Sequence, residues 1–255
     1  MSDLQALIFD VDGTLADTER DGHRVAFNRA FEKAGLDWDW SVDLYGKLLQ
    51  VTGGKERMKF YLDNFNTDFK KPENLDEFVA KLHRSKTDFY TKLLSEGAIP
   101  LRTGVKRLIN EARAAGMRMA IATTTTPANV TALLEHALDE NATSWFEVIA
   151  AGDIVPAKKP AADIYDYALQ EMGLDAAACL AFEDSENGIL SSAGAKLTTI
   201  VTINSYTTEH DFRDAAVVLD NMGEPDQAFT VLQGNAFGYT YLNLEALQAI
   251  HSGNL

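Results

Sequence analysis

Apolar residues recur along this chain in two rhythms, and the change of rhythm divides it. Near the start, Leu7-Ile8-Phe9 forms a short unbroken apolar run closed by Asp10-Val11-Asp12-Gly13-Thr14. That is the pattern of a parallel strand buried on both faces. From about Asp17 to Glu96 the spacing is helical: Phe27, Ala30, Phe31 and Ala34 share one face, as do Met58, Tyr61, Leu62 and Phe65, and later Phe89, Tyr90, Leu93 and Leu94. No strand is predicted there. From Ala98 onward, short apolar runs alternate with amphipathic helices, the first with Val105, Leu108, Ile109 and Ala112 on one face and Gly116 as its stop. The runs are Met117 to Ala122, Phe146 to Ala151, Cys179 to Phe182, Thr198 to Ile203 and Ala216 to Leu219.

Strand, helix, strand at this spacing is the signature of a parallel sheet. The chain is therefore predicted to be α/β, with a Rossmann-like doubly wound parallel sheet in residues 1–15 and 97–255 and an inserted all-helical cap in residues 16–96. The cap is expected to hinge near Ala16 to Thr18 and Ile99 to Gly104, at little cost if its two ends lie close together. Beyond Gln233 the pattern predicts only a packing helix around Leu242 to Ile250.

Composition narrows the functional classes. In 255 residues, 23 basic side chains face 38 acidic ones, a net charge of −15. The mean field of such a chain repels phosphate, which argues against a nucleic-acid or anionic-membrane partner. An anionic substrate would need a local positive site. The single cysteine, Cys179, lies in an apolar run and reads as core filler. With no basic n-region and no apolar stretch of membrane-spanning length, a soluble, cytoplasmic protein is expected. A monomer is the expected state, although nothing in the pattern argues for it.

Polar groups collect where the apolar runs end, which is where open α/β sheets place their ligands. Asp10 and Asp12 close the first run; Gly13 lets the chain turn so that both could converge through side chain or backbone oxygen. Asp-Gly is also an ordinary turn. Thr123-Thr124-Thr125-Thr126 follows the second run and precedes Pro127, a junction that suits an anion or a simple helix cap. Lys158-Lys159-Pro160 follows the third, and Glu183-Asp184-Ser185 the fourth.

In this order, Asp10-Val11-Asp12-Gly13-Thr14, the Thr123 junction, Lys159-Pro160 and Glu183-Asp184 resemble the motifs of the haloacid dehalogenase superfamily of aspartate-nucleophile phosphatases. Within it they are similar to the CbbY-like branch related to β-phosphoglucomutases, over Leu4 to about Leu219. The resemblance implies Asp10 as a nucleophile that forms an aspartyl-phosphate, and Asp12 as the acid that protonates the leaving oxygen and then deprotonates water. It implies Mg²⁺ on the Asp10 carboxylate, the Asp12 carbonyl and Asp184, with Glu183 in direct or water-mediated support. Lys159, rather than Lys158, and the Thr123 hydroxyl would hold the phosphoryl oxygens, with Thr124 and Thr125 beside them. Asp12 sets the chain apart from dehalogenases and phosphonate hydrolases of this fold, which lack that second aspartate.

In the cap, Val51-Thr52-Gly53-Gly54-Lys55-Glu56-Arg57 looks like the CbbY specificity loop for a phosphorylated ketose. Gly53, Gly54 and Arg57 become substrate-binding candidates. Glu19 matches an acid that contacts sugar hydroxyls, with helix capping as the rival reading, and Lys86 resembles a lysine that reaches a second phosphate, although a helix lysine is more often solvated. His23 sits in a stretch one residue longer than in some relatives. The implied function is Mg²⁺-dependent hydrolysis of a phosphorylated sugar, a ketose bisphosphate such as xylulose 1,5-bisphosphate. A sugar-phosphate mutase and a catalytically silent binding protein are the alternatives.

Overall fold

A computed structural model describes residues 3–51 and 53–253. Thr52 of the expected specificity loop lies outside the described residues. The chain separates into two compact units, one of Met1–Asp17 with Pro100–Leu255 and the other of Thr18–Ile99, against the 15/16 and 96/97 divisions expected from sequence.

The first unit is built on a seven-stranded sheet of β1 (Ala6–Phe9), β2 (Arg118–Thr123), β3 (Val148–Ala151), β4 (Cys179–Glu183), β5 (Thr198–Thr202), β6 (Val217–Leu219) and β7 (Val231–Gly234). Its order is β3-β2-β1-β4-β5-β6-β7, parallel except for β7, which runs antiparallel to β6. All four residues of β1 and all five of β4 are buried, as the apolar runs Ala6–Phe9 and Cys179 to Phe182 require, and Glu183, which closes β4, is buried with them. Phe9 pairs in register with Ile121 on one side and Phe182 on the other, and the Phe9 and Phe182 rings stack at 4.6 Å. The central strand is thus flanked by the two strands that end in Thr123 and Glu183. The order reverses across β1 and β4, the kind of crevice where such sheets bind ligands.

The second unit holds α1 (Arg24–Lys33), α2 (Val42–Leu48), α3 (Gly54–Asn64) and α4 (Leu75–Ser95), with no strand among its described residues. Its core is aromatic: Phe27, Phe31, Trp38, Trp40, Tyr45 and Tyr61 pack ring to ring at 4.8 to 6.1 Å. Such contacts contribute beyond area burial. Two residues placed on buried faces by periodicity fall outside them. Ala34 and Phe65 cap the C-termini of α1 and α3, and both are exposed, because the periodic pattern runs past the point where each helix stops.

The remaining helices, α5 (Val105–Ala114), α6 (Pro127–Leu133), α7 (Asp163–Met172), α8 (Glu186–Gly194) and α9 (Leu244–Gly253), belong to the first unit. α7 buries Ile164, Tyr165, Ala168, Leu169 and Met172 against Ala120, Ala122, Cys179 and Ala181 of the sheet. Cys179 is buried and free, and burial pushes its thiol up to about 11, as suits a core residue. The expected tail helix is α9. The strand β7 was not anticipated: all four of its residues are exposed, so it carries no alternation to read. No helix of the described residues is long and apolar enough to cross a membrane.

The two crossings of the chain into the second unit leave the first at neighbouring points. Ala16 and Leu101 form an antiparallel bridge, and the Arg102 amide donates to the Leu15 carbonyl at 2.8 Å.

Candidate active site

The end of β1 delivers Asp10 into a buried polar cluster. The Asp10 amide donates to the Phe182 carbonyl at 3.0 Å, so the sheet ladder itself sets where the carboxylate emerges. Its Oδ1 accepts from Lys159 Nζ at 2.6 Å and its Oδ2 from the Thr14 hydroxyl at 3.1 Å. Both oxygens are held, which fixes the rotamer. Lys159 also donates to the Ala122 carbonyl at 2.9 Å and to Glu183 Oε1 at 2.6 Å, which uses its three hydrogens. Burial by itself would lower the Lys159 ammonium, but the carboxylates of Asp10 and Glu183 outweigh it and hold the group above its usual range. Lys158, the rival, is exposed and pairs with Asp153 at 2.8 Å.

Glu183 is almost fully buried. Its Oε1 accepts from both Lys159 and the Tyr165 hydroxyl, and its Oε2 has no partner. Burial, reinforced by Asp10 against the opposing charge of Lys159, pushes its carboxyl up to about 7. Asp184 is raised well above the ordinary carboxylate range, by burial first and then by Asp10 and Glu183. Its Oδ2 accepts from Asn204 Nδ2 at 2.7 Å. The backbone closes around these groups: a Cβ at Gly13, where φ is +88°, would lie 2.1 Å from Asp184 Oδ2, and one at Gly188 would lie 1.9 Å from Glu183 Oε2. Only glycine fits at either place.

Carboxylate oxygens of Asp10, Glu183 and Asp184 lie within 4.8 Å of one another, all three residues being buried. Three carboxylates so close, one with an unpartnered buried oxygen, are a costly arrangement unless a cation shares them. The donor set is all oxygen, which suits a hard divalent ion. Asp12, half-buried in the same loop, bridges to Ala16 through its backbone.

Thr123, the last residue of β2, is buried and accepts from the Thr125 amide at 3.4 Å. Thr124 is exposed and Thr125 half-buried at the start of the turn into α6, whose first residue is Pro127.

The cap candidates form a cluster of their own within the second unit. Arg57 donates to the Tyr45 hydroxyl at 2.6 Å, Tyr45 donates to Glu19 Oε2 at 2.6 Å, and Arg57 stands 3.7 Å from the same oxygen. Burial alone would raise the Glu19 carboxyl, but His23, Arg57, the Tyr45 hydroxyl and Lys86 together hold it below its usual value. Lys86 is buried rather than solvated: its Nζ meets His23 Nδ1 at 2.7 Å and stands 5.1 and 5.0 Å over the rings of Phe27 and Tyr90. Arg57 Nε is buried without a partner. Gly53 precedes α3 with φ +95°, and no side chain caps that helix. A Cβ at Gly54 would meet His83 at 2.7 Å.

Sequence reasoning had named Asp10, Lys159, Glu183 and Asp184 from one side of the molecule's chemistry and Glu19, Arg57 and Lys86 from the other, and the structure gathers each set. It missed Thr14 as a partner of Asp10, Tyr165 beneath Glu183, Asn204 against Asp184, and Tyr45 between Glu19 and Arg57. For Asn204 the available signal was its position just beyond the Thr198 to Ile203 run.

A family model described as haloacid dehalogenase-like hydrolase matches residues 4–196. The chain is 42% identical over 252 residues to the plasmid-borne protein CbbY of Cupriavidus necator, covering 99% of this chain and 98% of that one. It is 50% identical over 213 residues to protein CbbY of Rhodobacter capsulatus, covering 84% and 91%. Among solved structures, a mutant CbbY from Rhodobacter sphaeroides in complex with xylulose 1,5-bisphosphate is similar at 44% identity and a TM-score of 0.70, over 86% of this chain and 94% of that one. A β-phosphoglucomutase from Clostridium difficile, 18% identical with a TM-score of 0.65 over 98% of both chains, shares the fold.

Proposed function

This chain belongs to the haloacid dehalogenase-like hydrolase family and is a phosphatase, and from that premise we propose that it hydrolyses a phosphorylated ketose, with a ketose bisphosphate such as xylulose 1,5-bisphosphate as substrate. The observation that carries the reading is the buried Asp10–Lys159–Glu183 contact at 2.6 Å on each side, set at the end of the central strand. A carboxylate with its rotamer fixed can attack phosphorus in line, so that Asp10 becomes an acyl-phosphate and the transfer divides into two displacements. Asp12 protonates the leaving oxygen in the first and takes a proton from water in the second. The Thr123 hydroxyl binds a phosphoryl oxygen, and so does Lys159 by exchanging one of its three present acceptors for it, where the ammonium offsets the charge that builds there.

Asp10, Glu183 and Asp184, with the Asp12 carbonyl, would hold Mg²⁺. When bound, the ion supplies positive charge against the phosphoryl oxygens in a unit that is otherwise strongly acidic. In the second unit, Arg57 and Lys86 with the amides after Gly53 are the groups for a phosphate remote from the one transferred, and Glu19 is the group for sugar hydroxyls. The buried, unpartnered Nε of Arg57 supports this reading, because it is a donor with no acceptor of its own. The ketose bisphosphate is supported by the ligand of the Rhodobacter sphaeroides CbbY structure. Hydrolysis is favoured over mutase chemistry by 42 to 50% identity to CbbY proteins against 18% to a β-phosphoglucomutase.

The test is phosphate release with Mg²⁺ from xylulose 1,5-bisphosphate, β-glucose 1-phosphate and an aryl phosphate. The ketose bisphosphate should give the highest kcat/KM, and Asp10→Asn should reduce release to background while keeping the wild-type melt. Conversion of β-glucose 1-phosphate into its 6-phosphate without net release would replace hydrolysis by the mutase reading.

A further inference from the structure

Arg102 opens the stretch that returns from the inserted unit, and no chemistry so far involves it. Its side chain is 9% exposed. Nη1 donates to the Gly13 carbonyl, to the Thr202 carbonyl at 2.9 Å and to the Thr202 hydroxyl at 3.2 Å; Nη2 donates to the Ile203 carbonyl and to the Asp220 carbonyl at 3.1 Å; Nε stands 3.4 Å from Asp17 Oδ1. One guanidinium thus ties the loop after β1 to the ends of β5 and β6.

The sheet order gives this meaning. β4 lies between β1 and β5, so no ladder hydrogen bond can join the β1 loop to the end of β5. Arg102 makes that connection instead, and it does so at the end of β4, where Asp184 emerges. The two walls of Asp184 are the two segments that Arg102 grips. Gly13 is so close that a Cβ there would lie 2.1 Å from Asp184 Oδ2, and Asn204, next in the chain after Ile203, donates to the same oxygen at 2.7 Å. The guanidinium charge also opposes the raising of the Asp184 carboxyl by its acidic neighbours. A planar fork with five donors can serve the Gly13, Thr202, Ile203 and Asp220 carbonyls and still face Asp17, whereas an ammonium has only three hydrogens, all on one atom.

We propose that Arg102 is a positioning residue for metal binding: it holds Gly13 and Asn204 on either side of Asp184 and thereby sets where that carboxylate meets the divalent ion. The proposal rests on the reading of Asp10, Glu183 and Asp184 as the metal site.

The test compares wild type with Arg102→Lys, which keeps the charge and loses the fork. Two quantities are read: the half-saturating Mg²⁺ concentration for aryl phosphate hydrolysis, and the rise in Tm produced by Mg²⁺ without substrate. Arg102→Lys should raise half-saturating Mg²⁺ about ten-fold or more and lose most of the Mg²⁺-induced rise, while KM for the aryl phosphate at saturating Mg²⁺ changes less than about two-fold. Asn204→Ala, which removes the donor from Asp184 and leaves the Arg102 contacts, should move the same two quantities in the same direction. It carries the test if Arg102→Lys fails to fold. Wild-type Mg²⁺ saturation in either folded variant would overturn the assignment of Arg102. A wild-type protein with no Mg²⁺ response in either readout would overturn the metal reading as well, so the two failures are told apart.

Discussion

Lys86 has three hydrogens to donate and no lone pair, so the His23 nitrogen that it meets at 2.7 Å accepts. His23 is therefore neutral, with its proton on Nε2. Burial lowers its pKa most, the Glu19 carboxylate opposes that, and Lys86 and Arg57 add to the lowering, leaving it at about 4. An unfolded chain protonates this ring near 6.5 and the folded protein only near 4, so between those values the unfolded state binds more protons. Stability is then complete above about 6.5 and declines as pH falls toward 4. Glu19, held low, adds its own loss only at the acid end. The measurement is the urea midpoint at pH 7 and pH 5 by tryptophan fluorescence, since Trp38 and Trp40 both lie in the inserted unit. His23→Gln, which cannot titrate, should show a smaller decline than wild type; an equal decline in the two would remove His23 from the acid response.

The same scale shows what sequence can and cannot disclose about a site. Asp10, Glu183 and Asp184 could be picked out because each is a charge at the end of an apolar run, where solvation alone gives it no reason to be; Lys159 stands eight residues past Ala151 and is distinguished only by the resemblance, through its place before Pro160. Tyr165 offers no such contrast. It lies among Ile164, Ala168, Leu169 and Met172 on the buried stripe of an ordinary amphipathic helix, and its hydroxyl acquires a role only when α7 packs on β2 and β3 and so brings it to Glu183 at the end of β4. Tyr45 is hidden in the same way, as a buried aromatic whose polar end happens to meet Glu19 and Arg57.

Among the elements, the turn from Thr18 to His23 is a π-helix. Its wider turn holds one more residue than an α-helical turn. Gly22 inside it has no room for a side chain, since a Cβ would lie 2.6 Å from Ile99 and 2.8 Å from Tyr90. The result is that His23 stacks on Tyr90 at 3.9 Å and presents Nδ1 to Lys86. Periodicity could give α1 and α4 their buried faces but not this turn, because a single displaced residue leaves no repeat. β7 escaped for the opposite reason, as a strand that buries neither face.

These elements make a selective prediction. Arg57 is the fourth residue of α3 and Lys86 lies on α4, both buried with their charged ends in one cluster, so they are not needed to hold the reacting phosphoryl group. Loss of a charged hydrogen bond to phosphate costs about 1.5–3 kcal/mol, or roughly ten- to a hundred-fold in kcat/KM. Arg57→Ala and Lys86→Ala should show that loss with a sugar bisphosphate and almost none with an aryl phosphate. Equal losses on both substrates would mean that the pair supports the fold of the helical unit and not its substrate preference.

Over the whole molecule the charge is divided unevenly. Of 23 basic and 38 acidic residues, 14 of each lie in Thr18–Ile99, which leaves 9 basic against 24 acidic in the unit that carries Asp10, Glu183 and Asp184. The entire net charge of −15 belongs to that unit. Two effects of Mg²⁺ on stability must then be separated: general screening of an acidic surface, which any salt provides, and occupation of one site, which only a divalent ion of the right size provides. Site binding stabilises by RT ln(1 + [L]/Kd), about 2.7 kcal/mol at a hundred times Kd. For a chain of this size that is a rise in Tm of roughly 5–10 °C. The rise should appear with MgCl₂, disappear on chelation and exceed that given by NaCl at the same ionic strength. Asp184→Asn should lose most of it while keeping the smaller response to NaCl, because one carboxylate is a small part of the field and a large part of the site. If NaCl at matched ionic strength reproduced the whole shift, or if Asp184→Asn kept it, the carboxylate cluster would be only the densest point of an acidic surface and not the seat of a bound ion.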